Sequence, residues 1–230
     1  MTFLYLLLNI GSVAVPFIFS FHPKIKFYTY WKYLFPSIFI TSAFFIIWDI
    51  IFTNYAIWGF NANYLTGIHL INLPLEEWLF FICIPYACVF THFALLVYFP
   101  HWKLSEKLTS IISYFLIVIL FIGCILNYTK WYTAINFLYG VLLIVFVQLK
   151  HSDILKRYYL TFLIMLIPFF IVNGILTGSF IENEVVWYNN QENLGIRIGT
   201  IPIEDTIYAF TLILTNLLLM NLFGLKKLST

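Results

Sequence analysis

Long apolar segments recur along the whole chain and alternate with short polar connectors. Seven of these segments are long enough to span a membrane as α-helices. Their expected bounds are 3–20, 33–53, 76–99, 110–127, 132–149, 159–179 and 203–223. This pattern predicts an all-α polytopic membrane protein with seven transmembrane helices.

The second half of the chain partly repeats the first. A shift of 128 residues places GIHLINLPLEEW, residues 67–78, over GIRIGTIPIEDT, residues 195–206. The same shift superposes helices one to three on helices five to seven. The pattern predicts two three-helix repeats, 1–100 and 131–230, joined by a connecting helix within 101–130. Because that connector crosses the membrane once, both repeats run in the same direction and both acidic motifs lie on one side.

Composition and charge agree with a membrane protein. The 62% of hydrophobic residues, the 10% of charged residues and the mean hydropathy of +0.93 exclude a water-soluble domain of this length. A net charge of +2 does not favour a nucleic-acid partner. Basic residues instead concentrate in the connectors after the odd-numbered helices and in the C-terminal tail. They are Lys24, Lys26, Lys32, Lys103, Lys107, Lys150, Lys156, Arg157, Lys226 and Lys227.

The opposite side carries only Lys130 and Arg197. Basic residues concentrate on the cytoplasmic side of membrane proteins. This asymmetry therefore predicts an extracytoplasmic N-terminus and a cytoplasmic C-terminus, in the cell (inner) membrane.

Paired acids stand at the start of helices three and seven, where Glu76 corresponds to Glu204 and Glu77 to Asp205. Each pair follows a proline, so a capping role in the first helical turn would explain a single pair. Two pairs in register favour a functional role. A polar stripe that continues from Glu204 to Tyr208 predicts that Glu76 and Glu204 face the interior and lie closest to a substrate. Crowded carboxyl groups resist ionising together, so at least one is expected to keep its proton.

A further acid, Asp49, lies within FFIIWDIIF in helix two. It is either a third member of the site or the partner of an amide such as Asn54 or Asn72. Aromatic residues flank the motifs, and packing or interfacial belts explain most of them. In a dry pocket their ring faces would also stabilise a cation. The candidates for contact with a substrate are Trp48, Trp58, Trp78 and Tyr208.

Motifs for cofactors are missing from the sequence. It contains no dinucleotide, nucleotide or zinc-hydrolase motif, so no cofactor is expected. His69 precedes the first acidic motif, but Arg197 takes the corresponding place in the second repeat. No metal site is therefore expected.

Several of these motifs resemble those of a known protein family. PLEEW with FFICIPYACVFTH, the upstream SFHPKIKFY and FIIWDIIFT, and PIEDTIY in the second half resemble the small integral-membrane lycopene β-cyclase family. That family includes two-subunit and fused bacterial and archaeal enzymes and the cyclase part of bifunctional fungal enzymes. The chain is similar to the fused form.

The resemblance implies that the ψ-ends of lycopene or other linear carotenoids are cyclised to β-ionone rings, which gives γ- and β-carotene. An acid protonates C2 of the terminal alkene, the C5=C6 alkene attacks the C1 cation, and C6 then loses a proton. This isomerisation needs an acid and a base. Glu76 and Glu204 are the candidates for these roles, and Glu77 and Asp205 would adjust their protonation.

Two other functions remain open from the sequence. Parallel repeats with intramembrane acids also occur in proton-coupled carriers, and a carotenoid-binding subunit would need no catalytic acids. A cyclase changes lycopene chemically, whereas a carrier or a binding subunit leaves it intact.

Overall fold

The computed structural model describes residues 3–225, and within them the chain forms seven α-helices. These are α1 Leu4–Phe19, α2 Trp31–Asn54, α3 Leu75–Tyr98, α4 Glu106–Leu126, α5 Trp131–Lys150, α6 Ser152–Leu176 and α7 Ile203–Leu222. Most bounds agree with the predicted ones within a few residues. Helix α6 begins at Ser152 and not near residue 159, because the polar residues before the apolar segment are also helical. Lys226 and Lys227, which entered the charge argument, lie outside the described residues.

The lengths and apolar character of the helices suit a bilayer. Helices α2 to α7 are long and apolar enough to cross a membrane, whereas α1 is a shorter apolar helix of 16 residues. Large apolar side chains such as Ile47, Leu142 and Ile171 are exposed on the outer faces of the bundle. Lipid removes such side chains from water, which is favourable. The prediction of an all-α polytopic membrane protein is confirmed.

The helices pack as two related halves around α3 and α7. Helix α1 packs on α3 as α5 packs on α7, and α2 contacts both α3 and α7 as α6 contacts both α7 and α3. Helix α4 lies mainly against α5. The packing therefore follows the internal repeat, while the division at residues 100 and 130 stays a prediction.

The connectors in the described part of the chain form three two-stranded antiparallel sheets, which were not predicted. Strand β1 Trp58–Phe60 pairs with β4 Val186–Tyr188, and thus links the two repeats. Two hairpins, β2 His69–Leu70 with β3 Leu73–Pro74 and β5 Arg197–Ile198 with β6 Ile201–Pro202, lead directly into α3 and α7. The hairpins correspond to each other under the 128-residue shift, so both acidic motifs begin a helix at the same end of the molecule.

The turns of the two hairpins share a backbone conformation. Ile71 has φ 61° and its counterpart Gly199 has φ 64°. Glycine adopts this left-handed region freely, whereas a β-branched residue is strained there. Both repeats thus have the same left-handed turn conformation, although only the second repeat has glycine at this position.

Candidate active site

A cavity of about 470 Å³ lies between α1, α3, α6 and α7 and ends at the first turns of α3 and α7. Its wall is mainly apolar, but Asp49, Glu77 and Asp205 all line it. None of the side chains on this wall is Lys, Arg or His. Within residues 3–225 no group of three or more His, Cys, Asp or Glu side chains is arranged to hold a metal ion. The polar end of the cavity is therefore acidic, and no lining cation balances it.

Tyrosines from the first helix of each repeat hold the second acid of each motif. The Tyr5 hydroxyl donates to Oε2 of Glu77, and the Tyr132 hydroxyl donates to Oδ1 of Asp205. Asp205 has an additional donor, because the Tyr188 hydroxyl lies 2.9 Å from its Oδ2. Burial, followed by the nearby charge of Asp205, raises the pKa of Tyr188 well above its usual range, so Tyr188 remains a donor. Both oxygens of Asp205 thus accept hydrogen bonds from neutral tyrosines, an arrangement that suits the ionised form.

Asp49 lies beside Glu77 in a different environment. Its Oδ1 accepts hydrogen bonds from the indole N–H of Trp58 and, at 3.4 Å, from Thr53. Its Oδ2 has no N–H or hydroxyl donor in the described part of the chain, and its carboxyl group is close enough to that of Glu77 for the two to interact electrostatically. Ionised carboxylates only accept hydrogen bonds, so two of them can pair only when one carries a proton. The positions of Asp49 and Glu77 therefore suit a shared proton.

The first acid of each motif, Glu76 or Glu204, is buried but does not line the cavity. Oε1 of Glu76 accepts the backbone N–H of Thr66 at 2.6 Å, and Oε1 of Glu204 accepts that of Leu194 at 2.7 Å. Thr133 also donates to Glu204, at 2.6 Å. These bonds hold the loop before each hairpin against the helix. Glu76 and Glu204 therefore face the interior as predicted, while the motif acids on the cavity wall are Glu77 and Asp205.

An asparagine in the first helix of each repeat fixes the same helical turn. The side-chain amides of Asn9 and Asn136 each donate at 2.7 Å to a backbone carbonyl, that of Glu76 and that of Glu204 respectively. With the tyrosines one turn earlier, they form a Tyr-x-x-x-Asn pattern in both α1 and α5. The pattern was not predicted, because its register is 127 residues and that of the acidic motifs is 128. A search for repeated polar residues in helices one and five would have found it.

Aromatic rings surround the three acids. Trp58 and Tyr208 line the cavity as expected, together with Tyr132 and Tyr188. The ring centroids of Trp58 and Tyr132 are 5.0 Å apart, and the rings of Tyr132 and Tyr188 are stacked with centroids 5.8 Å apart. A cation that forms beside these rings would be stabilised by their faces.

The remaining two aromatic candidates lie off the cavity wall. Trp48 packs behind Tyr208, with ring centroids 5.3 Å apart. The indole N–H of Trp78 points back to the carbonyl of Leu70, at 3.4 Å, in the first hairpin. Both side chains therefore support the walls or the loop, and neither reaches the cavity.

The sequence of the chain matches a known protein family over both repeats. A family model described as lycopene cyclase matches residues 2–94 and 129–223. The chain belongs to the lycopene cyclase family. The matched segments follow the two repeats and omit α4. No significant match was found among curated proteins or solved structures. Membership in the lycopene cyclase family supports a membrane enzyme of the cyclase type that acts in carotenoid biosynthesis.

Proposed function

We propose that the protein is a lycopene β-cyclase that isomerises ψ-end groups to β-ionone rings and so forms γ- and β-carotene. The observation that carries this proposal is the set of three carboxyl groups at one end of an apolar, aromatic-lined cavity. An alkene is a weak base, so its protonation needs an acid held close to it and away from water. Asp49, Glu77 and Asp205 supply carboxyl groups in such a place.

The first step is proton transfer from the pair of Asp49 and Glu77 to C2 of the terminal C1=C2 alkene. The electron pair of that alkene forms the new C–H bond and leaves a cation at C1. The C5=C6 alkene then attacks C1, so the C1–C6 bond closes the ring and the positive charge moves to C5. Aromatic faces beside the acids stabilise both cations.

The second proton transfer completes the isomerisation. Asp205 removes the proton from C6, and the released electron pair forms the C5=C6 alkene of the β ring. Tyr132 and Tyr188 hold the Asp205 carboxyl group in position, and their two hydrogen bonds favour the ionised form that this step requires. One proton enters the substrate and one leaves, so the reaction needs neither an oxidant nor a reductant.

Pigment analysis tests this function directly. We expect a lycopene-accumulating bacterial host that expresses the chain to convert lycopene into γ- and β-carotene, identified by retention time and absorption spectrum. The same host without the chain supplies the control. Unchanged lycopene beside a well-inserted protein would contradict the proposal and favour a carrier or a carotenoid-binding subunit.

The proposed orientation places the acidic end of the cavity on the extracytoplasmic side of the cell membrane. Its support is the charge asymmetry of the connectors. We expect single cysteines at Lys130 and Lys103, introduced into a chain whose native cysteines are replaced, to react differently with a membrane-impermeant maleimide. In intact cells the residue at 130 should be labelled and the residue at 103 protected, and the reverse pattern would contradict the orientation.

A further inference from the structure

The cavity continues away from the acids as an apolar channel. Its wall on α3 extends from Glu77 to Thr91, a length of about 21 Å at the helical rise of about 1.5 Å per residue. That is about two thirds of the hydrocarbon thickness of a bilayer, which is about 30 Å. Residues of α1 and α6 form the sides of this channel. The cavity thus has the form of a slot for a long apolar chain with its reactive end at the acids.

Two small residues of α1 lie on the wall of the slot, and one of them, Gly11, is exposed. Gly11 and Ser12 both line it, and a Cβ added to Gly11 would meet no atom within 4 Å. The Tyr-x-x-x-Asn register relates these two positions to Leu138 and Tyr139 of α5. Of these two larger side chains, Tyr139 packs into the related cleft of the second half, whereas Leu138 is exposed.

The related cleft in the second half is filled. The ring of Tyr139 lies against Phe44, Phe45 and Trp48, with centroids 5.1, 5.8 and 6.2 Å away, and its hydroxyl is 2.7 Å from Oγ1 of Thr215.

The open slot and the filled cleft also differ in the residues that helices α6 and α2 contribute to them. FFIIW of α2 matches FFIVN of α6 at an offset of 125 residues, which pairs Trp48 with Asn173, and Asn173 lines the open slot. Asp49, the third acid, corresponds to a glycine in α6, Gly174. The two clefts therefore differ in both space and chemistry.

We propose that each chain has one reaction site, and that the linear tail of the carotenoid occupies the slot between α1 and α6 over Gly11, with one ψ-end at the acids. This inference rests on the proposed function. The opposite cleft, closed by Trp48 and Tyr139, serves as a packed wall. A molecule with two ψ-ends must then leave the slot and return end-for-end before its second ring forms.

Substitution of Gly11 tests the slot, and the repeat supplies a matched control. We expect Gly11→Phe to lower conversion of lycopene by on the order of tenfold or more, because the new ring lies in the path of the tail. Gly11→Ala should cause a smaller loss. Leu138→Phe makes a similar change at the related position, where the side chain is 45% exposed on the outside of α5, and should leave conversion unchanged. All variants are compared at equal amounts of folded protein.

Bound pigment provides a second readout that does not depend on turnover. We expect the Glu77→Gln chain to co-purify with lycopene, and the Gly11→Phe, Glu77→Gln double variant to lose most of that pigment. Unchanged conversion by Gly11→Phe, or equal pigment in both preparations, would overturn the slot. An inactive parent chain that still binds lycopene in a Gly11-dependent manner would refute the proposed function and leave the slot intact.

Discussion

Replacing Glu77 by Gln is expected to lower cyclisation of lycopene by on the order of 10²- to 10⁴-fold, the usual contribution of a general acid or base. Gln keeps the size of the side chain and can still accept the Tyr5 hydroxyl through its carbonyl oxygen. It cannot share a proton with Asp49. The measurement is the rate of β- and γ-carotene formation by purified membranes, normalised to folded protein.

The neighbouring acid supplies the control for this experiment. In Glu76→Gln the side-chain carbonyl still accepts the Thr66 N–H, and position 76 does not line the cavity. We therefore expect most of the activity to remain. Loss of activity in Glu76→Gln at normal folding, with activity kept in Glu77→Gln, would return the acid/base roles to the pair that the sequence favoured.

The sequence predicted the helices well because their signal is strong. Bilayer thickness requires an apolar run of near-fixed length, and each run in this chain is bounded by polar connectors. The repeat was visible because two proline-acid motifs keep one spacing. The strands could not be predicted in this way, since each has only two or three residues, which is too short for an alternating pattern to appear.

The arrangement of the acids around the cavity was hard to predict from the sequence. A polar stripe on α7 predicted an inward side for Tyr208 and Glu204. Tyr208 lines the cavity, whereas the buried Glu204 accepts the backbone N–H of Leu194 and does not line it. Helical periodicity describes the helix alone and contains no information about which loop will cover its first turn. The same limit applies to Tyr188, which reaches Asp205 from β4. Contacts that depend on loop paths need the three-dimensional structure.

Replacing Asp205 by Asn is expected to reduce product formation about as strongly as Glu77→Gln, by on the order of 10²- to 10⁴-fold, but at a different step. Asn still accepts one tyrosine hydroxyl through its carbonyl oxygen, yet its neutral amide cannot remove the proton from C6. Protonation at C2 by Asp49 and Glu77 remains possible. The cation that forms can then return to lycopene when the Asp49 and Glu77 pair takes back a proton from C2.

An experiment in heavy water distinguishes the loss of protonation in Glu77→Gln from the loss of deprotonation in Asp205→Asn. It does so because a proton shared by carboxyl groups exchanges with solvent. In membranes suspended in D₂O, the parent chain should place solvent deuterium at C2 of each ring that it forms. Asp205→Asn should return lycopene that carries deuterium at C2, whereas Glu77→Gln should return unlabelled lycopene. Labelled lycopene from Glu77→Gln, or unlabelled lycopene from Asp205→Asn, would contradict the assigned direction of proton transfer. The two acids would then have different roles from those proposed, even if both variants fail to make carotene.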